Sequence, residues 1–248
     1  MKDMSDRASI RAFRILELFD ETRRPMRLKE LVDSLELPTS SMAELLKSMT
    51  DAGYLTFDTG ARTYLPTSRV TALADWLMTS MSQYNAVMDA MQRLSQKCGE
   101  LIFLGIANDI YVQYSETIAS THPIQMVVER GARRLLVQSG MGWALLSGQS
   151  DALIEKIYLR SAQLREIDRK IVTLPHVMER IEQLRNTGIV YSRNTVYKGA
   201  GVIATLLPIA EHGRSLALGV AGPTSRLDEK LEVFSDMLLL ERARFAYC

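Results

Sequence analysis

Apolar residues recur at helical spacing in three short segments of the first 66 residues. Each segment repeats at i, i+3, i+4 and i+7, the stripe of an amphipathic helix. The stripes are Ala12, Ile15, Leu16 and Phe19, then Leu28, Leu31, Val32 and Leu35, then Met42, Leu45, Leu46 and Met49. Pro25 and Pro38 interrupt the pattern between them, and Gly53 follows the third stripe. The pattern predicts a first helix, a tightly joined helix pair, and an end near Gly53.

The next residues follow strand and turn chemistry instead. Residues 54–57 are rich in aromatic and β-branched side chains, Asp58-Thr59-Gly60 is typical of a turn, and residues 63–65 read as a returning strand that Pro66 closes. Three short helices and a hairpin in this order predict a winged helix-turn-helix domain over residues 1–66.

Residues 67–96 have a helical pattern again. Its apolar stripes are Val70, Leu73, Ala74 and Leu77, then Val87, Met88, Met91 and Leu94. A Met-rich helical segment between two folded units is typical of a linker that also packs against a partner chain. The alternative is that these are two core helices of the second domain.

The chain from residue 97 to 248 mixes strands with helices. Strands are predicted at 101–107, 110–114, 124–128, 189–193, 201–209 and 215–221, and helices at 141–147, 151–160, 175–187 and 227–245. Runs of strands followed by runs of helices predict an α+β domain with an antiparallel sheet.

Composition and charge narrow the class of protein. Apolar residues are 47% and charged residues 24% of 248, and Lys plus Arg number 30 against 29 Asp plus Glu. This balance suits one or two globular domains and excludes a polycation that coats nucleic acid. The charged N-terminal residues and the lack of a long apolar run favour a cytoplasmic protein that is not inserted in a membrane.

The sequence lacks the signatures of an enzyme or a metalloprotein. Cys98 and Cys248 form neither a disulfide framework nor a metal cluster, and His122, His176 and His212 are scattered without ligand spacing. No GxSxG, HExxH or CxxC motif occurs. We therefore expect no catalytic residues, no metal and no cofactor.

The third helix and the arginines around it point to double-stranded DNA. Small hydroxyl residues and free N–H groups at a helix start can reach phosphates and base edges, although Ser41 to Glu44 also fits a capping box. The candidate DNA-binding residues are Arg11, Arg24, Arg27, Thr39, Ser40, Ser41, Glu44, Lys47 and Arg62. Residues 1–66 carry ten basic and eleven acidic side chains, net −1, so one copy should bind DNA weakly and two or more must act together.

A second candidate site starts the helix at residue 140. Ser139-Gly140-Met141-Gly142 precedes an apolar run, and small residues at a helix start leave N–H groups accessible to a carboxylate. Close helix packing would equally require small residues there. Gly199, Gly201, Gly219 and Gly222 similarly allow close approach of the backbone to a ligand or to a neighbouring strand.

Five segments in order along the chain resemble the IclR-type bacterial transcriptional regulators. They are SIRAFRILELFDE at 9–21, PTSSMAELLKSMTDAGYL at 38–55, SGMGWALLSG at 139–148, IEQLRNTGIVYSRN at 181–194 and LGVAGPTSRL at 218–227. The resemblance implies a winged helix-turn-helix, a linker helix and a GAF-like effector domain, assembled as a homodimer or homotetramer on operator DNA.

The resemblance also implies a pocket for a small organic acid. Its expected lining residues are Ser139, Gly140, Met141, Asn194, Ala204, Gly219 and Ala221. Asn194 stands where many members offer a carboxylate, and small residues replace Cys or Ser on the strands, which favours an aromatic acid. Two alternatives remain: a GAF-like enzyme or sensor whose N-terminal unit binds protein, and a structural DNA-binding protein without a ligand.

Overall fold

The computed structural model describes residues 8–73, 81–211 and 213–246. Its contacts divide the chain into two compact units between Met81 and Ser82. Within the described residues, no helix combines the length and the apolar character needed to cross a bilayer.

The first unit contains the predicted helices and hairpin. Its elements are α1 (Ala8–Thr22), β1 (Met26–Arg27), α2 (Leu28–Leu35), α3 (Thr39–Asp51), β2 (Leu55–Asp58), β3 (Thr63–Pro66) and α4 (Ser68–Ala72). The predicted stripes meet in one core, to which Ile15, Leu31, Met42 and Leu46 each contribute a fully buried side chain. Burial of these apolar faces stabilises helices that are too short to persist alone.

The turn between α2 and α3 has a local cause. Glu36 adopts the left-handed conformation (φ 52°) that ends α2, and Pro38 precedes α3, which begins at Thr39. Ser41 therefore lies within the first turn of α3 rather than at its N-cap, and the capping-box interpretation of Ser41 and Glu44 does not apply.

A small antiparallel sheet forms the wing. The strand order is β1-β3-β2 in the described part of the first unit, so β1, from before the helix pair, pairs with β3 of the hairpin. The register places Arg27 opposite Thr63. The Asp58 carboxylate accepts hydrogen bonds from the N–H groups of Gly60 and Ala61 (2.8 and 3.0 Å), which fixes the hairpin turn.

The second unit is an antiparallel sheet with helices on both faces. Its elements are α5 (Met81–Cys98), β4 (Leu101–Asn108), β5 (Tyr111–Ile118), β6 (Arg133–Leu135), α6 (Gly140–Ser147), α7 (Asp151–Gln163), α8 (Leu174–Thr187), β7 (Val190–Arg193), β8 (Ala200–Glu211), β9 (Arg214–Pro223), α9 (Thr224–Glu229) and α10 (Leu231–Arg244). The strand order across the described residues is β6-β5-β4-β9-β8-β7. This is the predicted α+β architecture, and it agrees with a GAF-like domain.

Alternation along the strands divides the core into two layers. Leu101 and Phe103 of β4 pack with α6 to α8, whereas Ile102 and Leu104 pack with α5 and α10 on the other face. On β9, Ala217 and Ala221 lie in the layer that contains α6 to α8. Leu216, Leu218 and Val220 lie in the layer that contains α5 and α10.

Two sequence predictions in this unit are wrong. Residues 124–128 form no strand but part of an irregular segment, 119–132, in which Ile124 and Val127 are exposed. The predicted helix 227–245 is instead two helices, α9 and α10, that divide at Lys230.

The second stripe of the proposed linker is buried inside this unit. Val87, Met91 and Leu94 on α5 lie in the core against the sheet, as the alternative interpretation of core helices expects. In the first stripe, Val70 is half-buried and Leu73 exposed, while Ala74 and Leu77 lie outside the described residues.

Candidate functional site

The outer face of α3 presents polar side chains to solvent. Because Met42, Leu46 and Met49 face the core, the opposite side of the helix must be exposed. Thr39, Ser40, Glu44 and Lys47 are exposed and Ser41 is half-buried. The structure thus brings all the candidate residues of the predicted recognition helix to one solvent-accessible element.

The strand pairing brings two arginine residues to the wing. Arg27 lies opposite Thr63, the neighbour of Arg62, so two arginines that are 35 positions apart come to the same end of the sheet. Both are exposed, and neither forms an ion pair with a described carboxylate.

The other two candidate arginines are placed differently. Arg24 is exposed, but its Nη2 lies 2.7 Å from Oε1 of Glu30. Arg11 is half-buried on α1. Among the four candidate arginines, Arg27 and Arg62 therefore offer their charge most freely to a polyanion, together with the exposed Lys47 of α3.

A cavity that is partly open to solvent lies in the second unit on the α6 face of the sheet. Strands β4, β5, β8 and β9 form its floor, the start of α6 forms one wall, and segments 126–128 and 195–197 cover it. The lining residues are Phe103, Tyr114, Met126, Val128, Arg134, Ser139, Gly140, Met141, Ser192, Thr195, Val196, Tyr197, Ala200, Val202 and Ala221. Its largely apolar walls suit the body of a small organic molecule.

Four of the predicted effector residues line this cavity. They are Ser139, Gly140 and Met141 at the start of α6 and Ala221 on β9. The Ser139 hydroxyl caps α6 by accepting the N–H of Gly142 at 3.1 Å, and it donates to the Leu135 carbonyl at 2.9 Å. The first-turn N–H groups of Gly140 and Met141 have no partner within the helix, because of helix geometry.

The other three predicted residues do not line the cavity. Asn194 is exposed in the β7–β8 turn, where its side-chain oxygen accepts the N–H of Gly199 at 2.6 Å. Ala204 is fully buried between β7 and β9. The space beside Gly219 is filled by protein, since a Cβ there would lie 2.6 Å from Sδ of Met141 and 3.1 Å from the Phe103 ring.

Packing accounts for both glycines at the start of α6. A Cβ on Gly142 would collide with the backbone of Leu136, and one on Gly140 would lie 2.7 Å from Oγ of Ser192. The close-packing interpretation therefore explains why these residues are small, while the cavity lies beside them all the same.

Sequence reasoning missed five polar residues of the cavity, which include Ser192 and Thr195. Arg134 comes from the short edge strand β6, Tyr114 from β5, and Tyr197 from the segment before Gly199. Arg134 Nη2 donates to the Tyr197 hydroxyl at 3.0 Å. Burial raises the pKa of Tyr114 to about 12. An arginine in a strand-like RRL run beside an apolar hairpin was the available signal.

Other titratable groups of the second unit are engaged in packing. Burial raises the pKa of the Cys98 thiol, which favours its unreactive protonated form. Glu100 is buried and forms a two-point ion pair with Arg226 (2.5 and 2.8 Å). No three His, Cys, Asp or Glu side chains of the described chain are grouped in a way that could hold a metal ion.

Family comparisons cover both units. The family model described as "Bacterial transcriptional regulator IclR C-terminal" matches residues 78–244, and the "IclR helix-turn-helix domain" matches residues 10–59. Among curated proteins, the chain is similar to a transcriptional regulator named SauR from Cupriavidus necator, with 26% identity over 233 residues, covering 92% of this chain and 90% of that one.

Solved structures show the same architecture. An effector domain of an IclR-type regulator from Acinetobacter sp. ADP1 is 25% identical with a TM-score of 0.63, covering 68% of this chain and 98% of that one. IclR of Thermotoga maritima superposes with a TM-score of 0.67 at 15% identity, covering 95% and 96% of the two chains, and so supports the fold alone.

Proposed function

This chain belongs to the IclR family of bacterial transcriptional regulators, and from that premise we propose that it binds operator DNA through its first unit and a small organic acid through its second. Membership makes it a transcriptional regulator with a helix-turn-helix domain and a C-terminal effector-binding domain, not an enzyme. Its site of action is then the cytoplasm, where the DNA is.

The DNA-binding surface that we propose consists of α3 and the wing. Helix α3 enters the major groove with Thr39, Ser40 and Lys47 toward the bases and phosphates, and Ser41 and Glu44 beside them. Arg27 and Arg62 contact the phosphate backbone on one side of the groove. Arg24 and Arg11 play lesser parts, because Glu30 neutralises the first and the second is half-buried.

The weak DNA binding expected of a single copy argues for a homodimer or homotetramer. Residues 1–66 have a net charge of −1, so one copy gains little from neutralising phosphates. Linked copies multiply affinity through effective concentration. The subunit interface must use other surfaces than the Val87, Met91 and Leu94 face of α5, since the chain's own sheet covers that face.

The observation that carries the effector proposal is the cavity beside the start of α6. Apolar walls such as Phe103, Val202 and Ala221 fit a hydrocarbon body, and a cation and free N–H groups fit a carboxylate. An aromatic acid matches both features. To regulate, the acid must bind one arrangement of the DNA-binding units better than the other.

The proposal is tested by fluorescence anisotropy with duplex DNA from upstream of the chain's own coding sequence. We expect specific binding whose affinity falls steeply as salt rises, and a change in affinity when benzoate, phenylacetate or hexanoate is added. Binding that ignores DNA sequence and salt would contradict the DNA proposal. Specific binding that no acid changes would contradict the effector proposal and favour a DNA-binding protein without a ligand.

A further inference from the structure

The cavity contains one cation whose charge is not neutralised by an acidic side chain of the described residues. Arg134 is the sole charged side chain among the described lining residues. Its guanidinium donates to the Arg133 carbonyl at 2.7 Å and to the Tyr197 hydroxyl at 3.0 Å, and both acceptors are uncharged. Within the described residues no carboxylate lies within 4.0 Å of it. By contrast, Arg93 and Arg226 of the same unit each hold a buried glutamate.

Tyr114 provides an unused hydrogen-bonding group in the same cavity. The residue is only 5% exposed and packs against Phe103 at 4.9 Å between ring centroids. Its hydroxyl forms no hydrogen bond with the part of the chain that the structure describes, although Arg134 and Tyr197 are close enough for their charges to affect it. A hydroxyl that lines the cavity without a partner among the described residues can donate its proton to a ligand oxygen.

The rest of the described lining offers no cation to a second charge on the ligand. Beyond Arg134, the described lining offers neutral hydroxyls and apolar surface only. A second carboxylate would lose its hydration without gaining a cation, and that cost is large. The cavity is therefore suited to an anion with a single charge and an apolar body.

On the premise that this cavity is the effector site, we propose that Arg134 and Tyr114 bind the carboxylate of the effector, which is a monocarboxylic acid with an aromatic or aliphatic body. The guanidinium supplies charge-assisted hydrogen bonds and the Tyr114 hydroxyl donates a further one. The Tyr197 hydroxyl, held by Arg134, is placed to donate its own proton to the same group. The start of α6 then lies beside the body of the acid rather than binding its charge.

The test compares Arg134→Gln with Arg133→Gln by calorimetric titration of the full chain. Arg133 is the exposed neighbour on the same strand, stacks on Tyr111 and does not line the cavity, so it is the matched control. The probes are benzoate, phenylacetate and hexanoate, with benzamide as the neutral analogue and phthalate and adipate as dianions. Melting curves of each variant check that it is folded.

We expect benzoate or its monocarboxylate analogues to bind at least about tenfold more weakly to Arg134→Gln, with no change in Arg133→Gln. Tyr114→Phe should weaken binding about three- to tenfold, and Arg134→Lys should retain part of the affinity. Benzamide and the dianions should bind the wild type more weakly than benzoate does.

Three results would overturn the inference. The first is unchanged acid binding by Arg134→Gln, which would assign the carboxylate to the N–H groups of α6 and leave the effector proposal intact. The second is equal binding of benzamide and benzoate by the wild type, and the third is a preference for dianions. If no acid binds the wild type and none alters its affinity for DNA, the effector proposal fails together with this inference.

Discussion

Arg24 and Glu30 form an ion pair on the surface of the first unit, with 2.7 Å between Nη2 and Oε1. The same carboxylate accepts a hydrogen bond from the backbone N–H of Arg27, which is the largest of the causes that lower the pKa of Glu30, ahead of the hydrogen bond from Arg24. Glu30 is therefore ionised at neutral pH and offsets one of the few cations available to DNA.

Glu30→Gln is expected to strengthen DNA binding. Glutamine keeps an acceptor for the Arg27 N–H but releases Arg24 to bind phosphate, which should tighten binding about 1.5- to 5-fold at low salt. Anisotropy titrations at several salt concentrations measure it. Asp51→Asn, at an exposed position at the C-terminal end of α3, controls for the general loss of a negative charge. An equal effect of both variants would contradict a specific role for the Arg24–Glu30 pair.

Arg27→Ala and Arg62→Ala should each reduce the salt dependence of DNA binding. Each removes one phosphate contact per DNA-binding unit, so the slope of log affinity against log salt should flatten by about 0.9 for each unit engaged. Arg23→Ala is the control, since Arg23 is exposed but paired with Asp20 at 2.6 Å. Unchanged slopes in both variants would remove the wing from the proposed DNA-binding surface.

Ala221→Leu should abolish the response to acid and leave DNA binding intact. Ala221 lines the cavity on β9, where a larger side chain would occupy the ligand's space. Ala217→Leu adds the same volume to the same face of β9 away from the described lining and reports the cost of overpacking, about 1 to 3 kcal/mol. Thermal-shift titrations with benzoate and phenylacetate decide the matter. A full ligand-induced shift in Ala221→Leu would place the effector elsewhere.

Gly219→Ala should destabilise the second unit through Met141. The added Cβ would lie 2.6 Å from Sδ of Met141, whose side chain must shift at a cost of about 1 to 3 kcal/mol. Urea denaturation of Gly219→Ala, Met141→Ala and the double variant forms a double-mutant cycle. The double variant should lose less stability than the sum of the single losses, because the shorter side chain removes the clash. Simple additivity would show that the two residues do not compete for this space.

Tyr114 should make the wild type lose stability between pH 10 and pH 12. Its pKa is raised from 10.0 to about 12 by burial, so the unfolded chain releases this proton at lower pH than the folded chain. Deprotonation then favours unfolding, by at most roughly 2 to 3 kcal/mol. Urea denaturation at pH 9 and pH 11.5 should show a smaller loss for Tyr114→Phe. Because other tyrosines titrate in both proteins, an equal loss would mean that Tyr114 ionises freely.

The helices of the first unit could be predicted because each buries one face only. Leu31, Met42 and Leu46 are fully buried at helical spacing, and proline separates their helices, so periodicity and turn chemistry agree. In the second unit a different signal found most strands: neighbours such as Ile102 and Phe103 are both buried, on opposite faces, so the strand is a continuous apolar run.

The cavity itself could not be predicted from local patterns. Met126 and Val128 line it while Val127 is exposed. The segment therefore has the alternating pattern of a strand, but its inward side chains line a cavity and the segment pairs with no strand. Arg134 reaches the cavity through long-range pairing, because Val112 of β5 lies opposite it. Likewise, the packing of Met141 against Gly219 depends on a contact between elements far apart in sequence.

The alternation of side chains between the two faces of β4 and β9 also affects how this protein can evolve. Phe103 and Ala221 face the cavity, whereas their neighbours Ile102 and Val220 pack against the layer that contains α5. Codons 103 and 221 therefore specify part of the cavity wall, and the codons beside them specify what holds the domain together. Under the proposed function, mutation can explore new effectors at positions 103 and 221 while positions 102 and 220 stay fixed, which makes the first two a starting point for engineered biosensors.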